Sequence, residues 1–148
     1  MDTTVSHVGI CVSDIDASLR FYCEGLGFEK AETWTIGSDY ARLMELPDVT
    51  LTSQFIRKDG FAIELLCYVE PDTLGDGERR AVNKLGFTHL NLRVDDVDVV
   101  AERLRSLGGT VLDHTRTTFG EVGGADTLDF VYCTDPDGTR VELMRLPG

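Results

Sequence analysis

This chain of 148 residues contains no apolar run that approaches the roughly 20 residues needed by a membrane-spanning helix. Its first residues, MDTTVSHVG, lack the basic and apolar regions of a secretion signal, so we expect a cytoplasmic protein with no membrane partner. Basic residues are few, with 14 Lys and Arg against 26 Asp and Glu. The resulting net charge of −12 repels phosphate backbones, and we expect no nucleic-acid partner. The 4 cysteines form no C-x-x-C pair, which argues against a zinc knuckle or a disulfide scaffold.

The chain does contain an internal repeat. SHVGICVSDID near the start matches THLNLRVDDVD in the second half, and the alignment places His7 on His89. A second match, between DGFAIELL and DGTRVELM, places Glu64 on Glu142. Two matches in the same order and with nearly the same shift indicate a duplicated module.

Each half reads as a strand, a helix and three further strands. The short apolar segments HVGICV and HLNLRV predict strands, and Asp14 and Asp96 are candidate N-caps for the helices that follow. Apolar residues then recur at spacings of three and four, up to Gly27 and Gly108, where a residue tolerant of positive φ ends a helix. The turns KDG and DPDG predict two hairpins.

The fold class predicted is therefore α+β, with two tandem β-α-β-β-β modules. Module one spans about 5–70 and module two about 86–146, joined by a linker at about 71–85. Neither half can bury its sheet alone, so we expect the halves to pair as half-barrels around a central cleft, as a single domain over 1–148.

Side-chain alternation then indicates a metal site. If the repeat is structural, pseudosymmetry relates His7 to His89 and Glu64 to Glu142, and we expect the four side chains to converge on the cleft. The alternative is a pair of packed histidines and two solvent-facing glutamates. Glu64, however, lies within an apolar run, where a carboxylate is costly unless it is paired or metal-bound. Two imidazoles and two carboxylates suit one divalent ion such as Ni, Co, Zn, Fe or Mn.

These residues resemble the vicinal oxygen chelate superfamily, which includes glyoxalase I, methylmalonyl-CoA epimerase, extradiol dioxygenases and the fosfomycin and bleomycin resistance proteins. The resemblance covers nearly the whole chain and rests on HVGICVSDIDASLRFYCEGLGF, IELLCY, GFTHLNLRVDDVD and DPDGTRVELM. It implies the paired fold, a metal in the cleft, a substrate bound through two neighbouring oxygens, and a homodimer. In members with four ligands, the ligands match His7, Glu64, His89 and Glu142.

The resemblance also helps to distinguish among the activities of the superfamily, through the residues at its ligand and substrate positions. A glutamate at the second ligand position, here Glu64, is usual in glyoxalase I, whereas the epimerases usually have glutamine. Bacterial glyoxalase I typically uses an arginine and an asparagine for glutathione at the positions that Cys11 and Tyr68 occupy here. In this superfamily, dioxygenases and fosfomycin enzymes use three ligands, and bleomycin-type binders hold no metal. The match of all four ligand positions therefore argues against these three classes.

We therefore expect a metal-dependent isomerase or lyase, similar to glyoxalase or methylmalonyl-CoA epimerase, that enolises a small carbonyl substrate. The cation would stabilise the enolate, and Glu64 or Glu142 would act as the base. By alternation, four further side chains face the cleft and are candidates for substrate binding: Cys11, Tyr68, Asn91 and Arg93. Two alternatives stay open, a non-catalytic protein that binds a small molecule or antibiotic and an Fe(II) extradiol-type dioxygenase.

Overall fold

The computed structural model describes residues 2–147, which form two compact units that divide after Gly75. Each unit contains one mixed sheet and one principal helix, so the predicted α+β class and the tandem modules are confirmed. The division falls inside the segment predicted as a linker, 71–85. The single-domain organisation with those module limits stays a prediction.

Module one has the predicted order of elements, which are β1 (Val8–Cys11), α1 (Ile15–Leu19), β2 (Glu29–Ile36), β3 (Thr50–Lys58) and β4 (Phe61–Glu70). Its sheet has the order β1-β4-β3-β2, with β1 parallel to β4 and the other pairs antiparallel. The β3–β4 hairpin turns at Asp59 and Gly60, whose positive φ angles of 51° and 79° match a two-residue hairpin loop. The parallel register of β1 and β4 places Glu64 beside Gly9 of β1.

Module two repeats this topology with β5 (Leu90–Arg93), α2 (Val97–Ser106), β6 (Thr110–Val111), β7 (Thr117–Phe119), β8 (Leu128–Thr134) and β9 (Arg140–Arg145). The sheet order is β5-β9-β8-β6, and β7 also pairs with β8. β5 runs parallel to β9, which places Glu142 beside Asn91. Glu142 thus occupies the same place in its sheet as Glu64 does in module one.

The two helices begin as predicted. Asp14 Oδ1 accepts a hydrogen bond from the backbone N–H of Ala17 at 2.9 Å, and Asp96 Oδ1 accepts one from that of Val99 at 3.0 Å. Each acidic cap satisfies a backbone donor that the first helical turn leaves without a partner. The buried face of α2 then consists of Val97, Ala101 and Leu104.

The end of the first helix differs from the sequence-based prediction. α1 is followed by a π-helical segment, Arg20–Gly25, where a continuous α-helix was expected. The widened turn accompanies the complete burial of two consecutive aromatic residues, Phe21 and Tyr22, whose rings meet edge to face with centroids 5.0 Å apart. Gly27, with φ 75°, then ends the helical segment as predicted.

The second strand of module two is divided into β6 and β7 by a short 3₁₀ turn, Asp113–Thr115. Thr115 makes this interruption possible because its hydroxyl donates to the carbonyl of Leu112 at 2.8 Å and accepts from the backbone N–H of Tyr132 at 2.9 Å. A side chain therefore satisfies a strand donor that the backbone of the interrupted strand does not reach.

Candidate metal-binding and catalytic site

Module one contains a histidine–glutamate pair formed by neighbouring parallel strands. His7 lies directly before β1, and its Nε2 atom is 3.1 Å from Oε2 of Glu64 on β4. The other ring nitrogen, Nδ1, lies 2.9 Å from the hydroxyl of Ser6. Phe55, the partner of Glu64 on β3, meets the imidazole edge to face at a centroid distance of 5.1 Å.

Module two contains the same arrangement. Nε2 of His89 is 2.8 Å from Oε2 of Glu142, and Nδ1 lies 2.8 Å from the hydroxyl of Thr88. Tyr132, the partner of Glu142 on β8, takes the place of the phenylalanine, with ring centroids 5.5 Å apart. The two pairs are thus built from equivalent positions of the repeat.

This shared construction suits metal coordination. A hydroxyl beside Nδ1 orients each imidazole and leaves Nε2 directed at a carboxylate, and such an outer partner is typical of metal-binding histidines. The side chains are 34% and 19% exposed for His7 and Glu64, and 28% and 19% for His89 and Glu142. They are therefore half-buried and still open to an ion from solvent.

Each module by itself supplies two donors. Among residues 2–147, no three or more His, Cys, Asp or Glu side chains form a group that could hold a metal ion. The four-ligand set stays a prediction.

The surroundings of the two carboxylates differ. The buried hydroxyl of Ser53 donates to Oε1 of Glu64 at 2.5 Å. The strand register gives Phe130 the corresponding place in module two, since Ser53 pairs with Leu66 and Phe130 with Met144. Glu64 consequently has a protein partner for each oxygen.

Glu142 lines a cavity of about 320 Å³, whose other lining residues are Thr115, Thr117, Phe130, Val131 and Tyr132. In the described part of the chain, the only hydrogen-bond or ion-pair partner of its carboxylate is His89. Phe130, which replaces the serine, is itself part of the cavity wall. The Glu142 carboxylate therefore has a second oxygen that is open to a ligand.

Arg140 contacts the backbone next to His89 in module two. It is buried, donates to the carbonyls of Thr88 at 3.3 Å and Arg80 at 2.6 Å, and lies over the ring of Tyr132. Burial, followed by the nearby charge of Arg79, lowers the pKa of this guanidinium. The contact with Thr88 holds the backbone directly before His89.

Two of the predicted substrate-binding residues, Tyr68 and Cys11, lie near each other, and Tyr68 also lies near Glu64. Tyr68 is half-buried on β4, with its hydroxyl 3.9 Å from the sulfur of Met44. Burial raises the pKa of this phenol, and negative charge on Cys11 and on Glu64 raises it further. Cys11 is exposed at the end of β1. These neighbours are consistent with the predicted shared face, although their role in substrate binding stays a prediction.

The other two candidates lie on β5. Asn91 and Arg93 are exposed, and their register partners on β9 are Glu142 and Met144. Asn91 is thus the residue beside Glu142, at the place that Gly9 occupies beside Glu64. His114, which has no counterpart in the repeat, lies exposed in the 3₁₀ turn between β6 and β7.

Several residues around the pairs were not identified from the sequence. The hydroxyl residue before each histidine, Ser6 and Thr88, was visible in the repeat as SH and TH and is the signal that could have found them. Ser53, in contrast, is one polar residue within VTLTSQFIR, and its partner Glu64 is set by the hairpin register. No pattern along the chain distinguishes it.

Comparison with known proteins establishes the family. Residues 4–143 match the model of the Glyoxalase/Bleomycin resistance protein/Dioxygenase superfamily, and the chain belongs to this superfamily. A 2-epi-5-epi-valiolone epimerase from Actinomyces sp is 33% identical, over 97% of this chain and 80% of its own length. A lactoylglutathione lyase from Haemophilus influenzae is 28% identical, over 95% of this chain and 90% of its own length. Relatives of this chain are therefore named as lyases and as epimerases.

Solved structures share the fold. A glyoxalase family protein from Bacillus cereus matches with a TM-score of 0.82 and 21% identity, over 97% of this chain and 94% of its own. The fosfomycin resistance protein FosX from Listeria monocytogenes, complexed with Mn(II) and sulfate ion, matches with a TM-score of 0.58 and 18% identity, over 98% and 93%. At least one protein of this fold thus holds a divalent metal.

A search of the described helices finds none with the length and apolar character to cross a membrane.

Proposed function

We propose that this protein is a metal-dependent isomerase or lyase that moves a proton at the carbon next to a carbonyl group. The observation that carries the proposal is the histidine–glutamate pair built in the same way in both modules, with Nε2–Oε2 distances of 3.1 and 2.8 Å. Relatives named as a lyase and an epimerase support the same type of activity.

We propose that His7, Glu64, His89 and Glu142 together hold one divalent ion. Imidazole nitrogen and carboxylate oxygen are donors that suit Ni, Co, Zn, Fe or Mn. The hydroxyl beside each Nδ1 leaves Nε2 as the donor, which fits such an ion. When bound, the metal supplies Lewis-acid stabilisation of the negative charge that develops on the substrate oxygen.

Glu142 is the proposed base. Its carboxylate lines the cavity of about 320 Å³, and one of its oxygens has no protein partner among the described residues. It can therefore approach a substrate carbon, accept the proton and return it, whereas both oxygens of Glu64 have protein partners. Glu64 is proposed as the carboxylate that keeps its position during the reaction.

The proposed substrate is a small carbonyl compound rather than a glutathione adduct. The described residues that line the cavity include no basic side chain, so nothing in that wall pairs with a substrate carboxylate or phosphate. Cys11 and Tyr68 offer glutathione neither the guanidinium nor the amide that the family resemblance implies for that thiol. Together with Asn91 and Arg93 they are proposed to contact the substrate.

Metal analysis followed by proton exchange tests this function. We expect the purified protein to retain about one divalent ion per chain, and we expect the double variant His89→Ala/Glu142→Ala to lose it. The control is His114→Ala, which removes an exposed histidine outside the pairs. Hydroxy-ketones, hemithioacetals of 2-oxoaldehydes and acyl-CoA thioesters are then screened in heavy water for deuterium uptake by NMR.

A protein without bound divalent metal, or a double variant with unchanged metal content, contradicts the proposal. Ligand binding that survives chelator treatment without any proton exchange favours the non-catalytic binding protein, and oxygen uptake with a catechol favours the dioxygenase. The homodimer and the cytoplasmic location stay predictions, for which size-exclusion chromatography with light scattering and cell fractionation are the measurements.

A further inference from the structure

We propose that Ser53 is a positioning residue that holds the carboxylate of Glu64 in the orientation required for metal binding. This inference rests on the proposed metal site and concerns a residue outside the four proposed ligands. It starts from the one hydrogen bond that distinguishes the surroundings of Glu64 from those of Glu142.

The contact is set by the strand register of module one. Glu64 pairs with Phe55, and Ser53 lies two residues before Phe55 on the same face of β3. The side chains of Ser53 and Glu64 are therefore diagonal neighbours. Ser53 is 1% exposed, and its hydroxyl donates to Oε1 of Glu64 at 2.5 Å. Because Oε2 lies 3.1 Å from Nε2 of His7, the carboxylate is held from both sides.

The two contacts to the Glu64 carboxylate have a direct consequence for metal coordination. A carboxylate whose rotation is restricted loses little conformational freedom when a metal binds, and hydrogen bonds to ligands of this kind typically change metal affinity by about 10- to 100-fold. Ser53 satisfies its own buried hydroxyl through this charged acceptor rather than through a backbone carbonyl.

Module two shows that the contact is not a general consequence of the fold. Phe130 occupies the corresponding place on β8, and the Glu142 carboxylate has only His89 as a partner among residues 2–147. The same backbone geometry thus exists with and without the serine, which assigns the difference to the side chain.

The test measures metal affinity directly. Dissociation constants for Zn(II) and Ni(II) are determined by competition with a chromophoric chelator for the wild type, Ser53→Ala and Ser53→Thr. We expect Ser53→Ala to bind both ions about 10- to 100-fold more weakly, and Ser53→Thr, which keeps the hydroxyl, to stay within about threefold of the wild type.

A matched control is Ser18→Ala. Ser18 is also a fully buried serine, and its hydroxyl donates to the carbonyl of Asp14 at 2.8 Å, away from the pairs. Thermal unfolding is followed for every variant. Ser18→Ala should lower the melting temperature and leave metal affinity unchanged, whereas a merely structural role for Ser53 predicts the same result for Ser53→Ala.

The possible outcomes separate this inference from the proposed function. If the wild type binds metal and Ser53→Ala binds it within threefold, the role of Ser53 is wrong and the metal site stands. If the wild type binds neither of these ions and also none of Co(II), Fe(II) and Mn(II), both proposals are wrong. Should Ser53→Ala not fold, Ser53→Thr and Ser53→Val decide the question, because these two side chains share a shape and differ in the hydroxyl.

Discussion

The two modules carry the same histidine–glutamate pair but stabilise different members of it. In module one the contact is made to the carboxylate, through Ser53. In module two it is made to the backbone before the histidine, through the buried guanidinium of Arg140, while the carboxylate faces a cavity. The register counterpart of Arg140 in module one is Ala62, which has no side chain able to make that contact.

The two modules retain the same histidine–glutamate contact but differ in the side chains around it. Strand register sets the distance between each histidine and its glutamate, so both modules keep that contact. The side chains around the pair are under no such constraint, and they give the two carboxylates different freedom to move. In the proposed function, two chemically equal residues accordingly take different parts in one reaction, Glu64 as a fixed ligand and Glu142 as the base.

The largest effect expected from breaking this comparison is on proton transfer. Glu142→Gln should lower the rate of deuterium exchange at saturating metal by roughly 10²- to 10⁴-fold, because it removes the proposed base and preserves the shape of the side chain. Glu64→Gln should act mainly on metal affinity. Exchange followed by NMR, with metal binding measured separately by titration calorimetry, gives both quantities. Equal losses of exchange rate in the two variants at saturating metal would contradict the assignment.

A smaller effect is expected on stability, where module two has the ion pair of Asp129 with Arg116 at a place that Thr52 occupies in module one. Asp129 is buried on β8 and accepts a hydrogen bond from Nε of Arg116 at 2.6 Å and one from the hydroxyl of Thr118 at 3.0 Å. Asp129→Ala leaves the half-buried guanidinium of Arg116 with Asp98 as its remaining charged partner, at 2.7 Å. We expect the free energy of unfolding to fall by about 2 kcal/mol, the range of hydrogen bonds to charged groups.

Urea denaturation measures this loss. The control is Thr52→Ala, because Thr52 occupies the corresponding place on β3 without an ion pair, and its cost should be below about 1 kcal/mol. Similar costs for Asp129→Ala and Thr52→Ala would show that the ion pair contributes little to module two.

The smallest effect concerns the feature in which the modules agree most closely. Asp14→Ala and Asp96→Ala each remove an N-cap bond of about the same length, 2.9 and 3.0 Å, and should each cost about 1 kcal/mol in the free energy of unfolding. The matched control is Asp95→Ala, an exposed aspartate directly before the second cap. A difference between the two caps of more than about 1 kcal/mol would show that the helices contribute unequally to their modules.

Much of the fold could be predicted from the chain alone. The caps at Asp14 and Asp96, the hairpin at Asp59 and Gly60 and the buried stripe of α2 all depend on residues near one another in sequence. The π-helical segment Arg20–Gly25 could not be predicted, because it accompanies the packing of two consecutive rings in the core. The division of the second strand of module two depends on a hydroxyl that reaches another strand, at Thr115.

The candidate site divides in the same way. The repeat identified all four members of the two pairs, because alternation along a strand fixes which face a residue occupies. It did not identify Ser53, Arg140 or the cavity beside Glu142, since those contacts join residues on different strands.

The sequence by itself determined the duplicated α+β topology and named the four residues that form the two histidine–glutamate pairs, because periodicity, caps, turns and repeated motifs are local properties that both copies retain. Only the tertiary structure decided which carboxylate is held and which is open. That choice depends on whether strand pairing places a serine or a phenylalanine diagonally across from the glutamate, a relation between strands that no local pattern records.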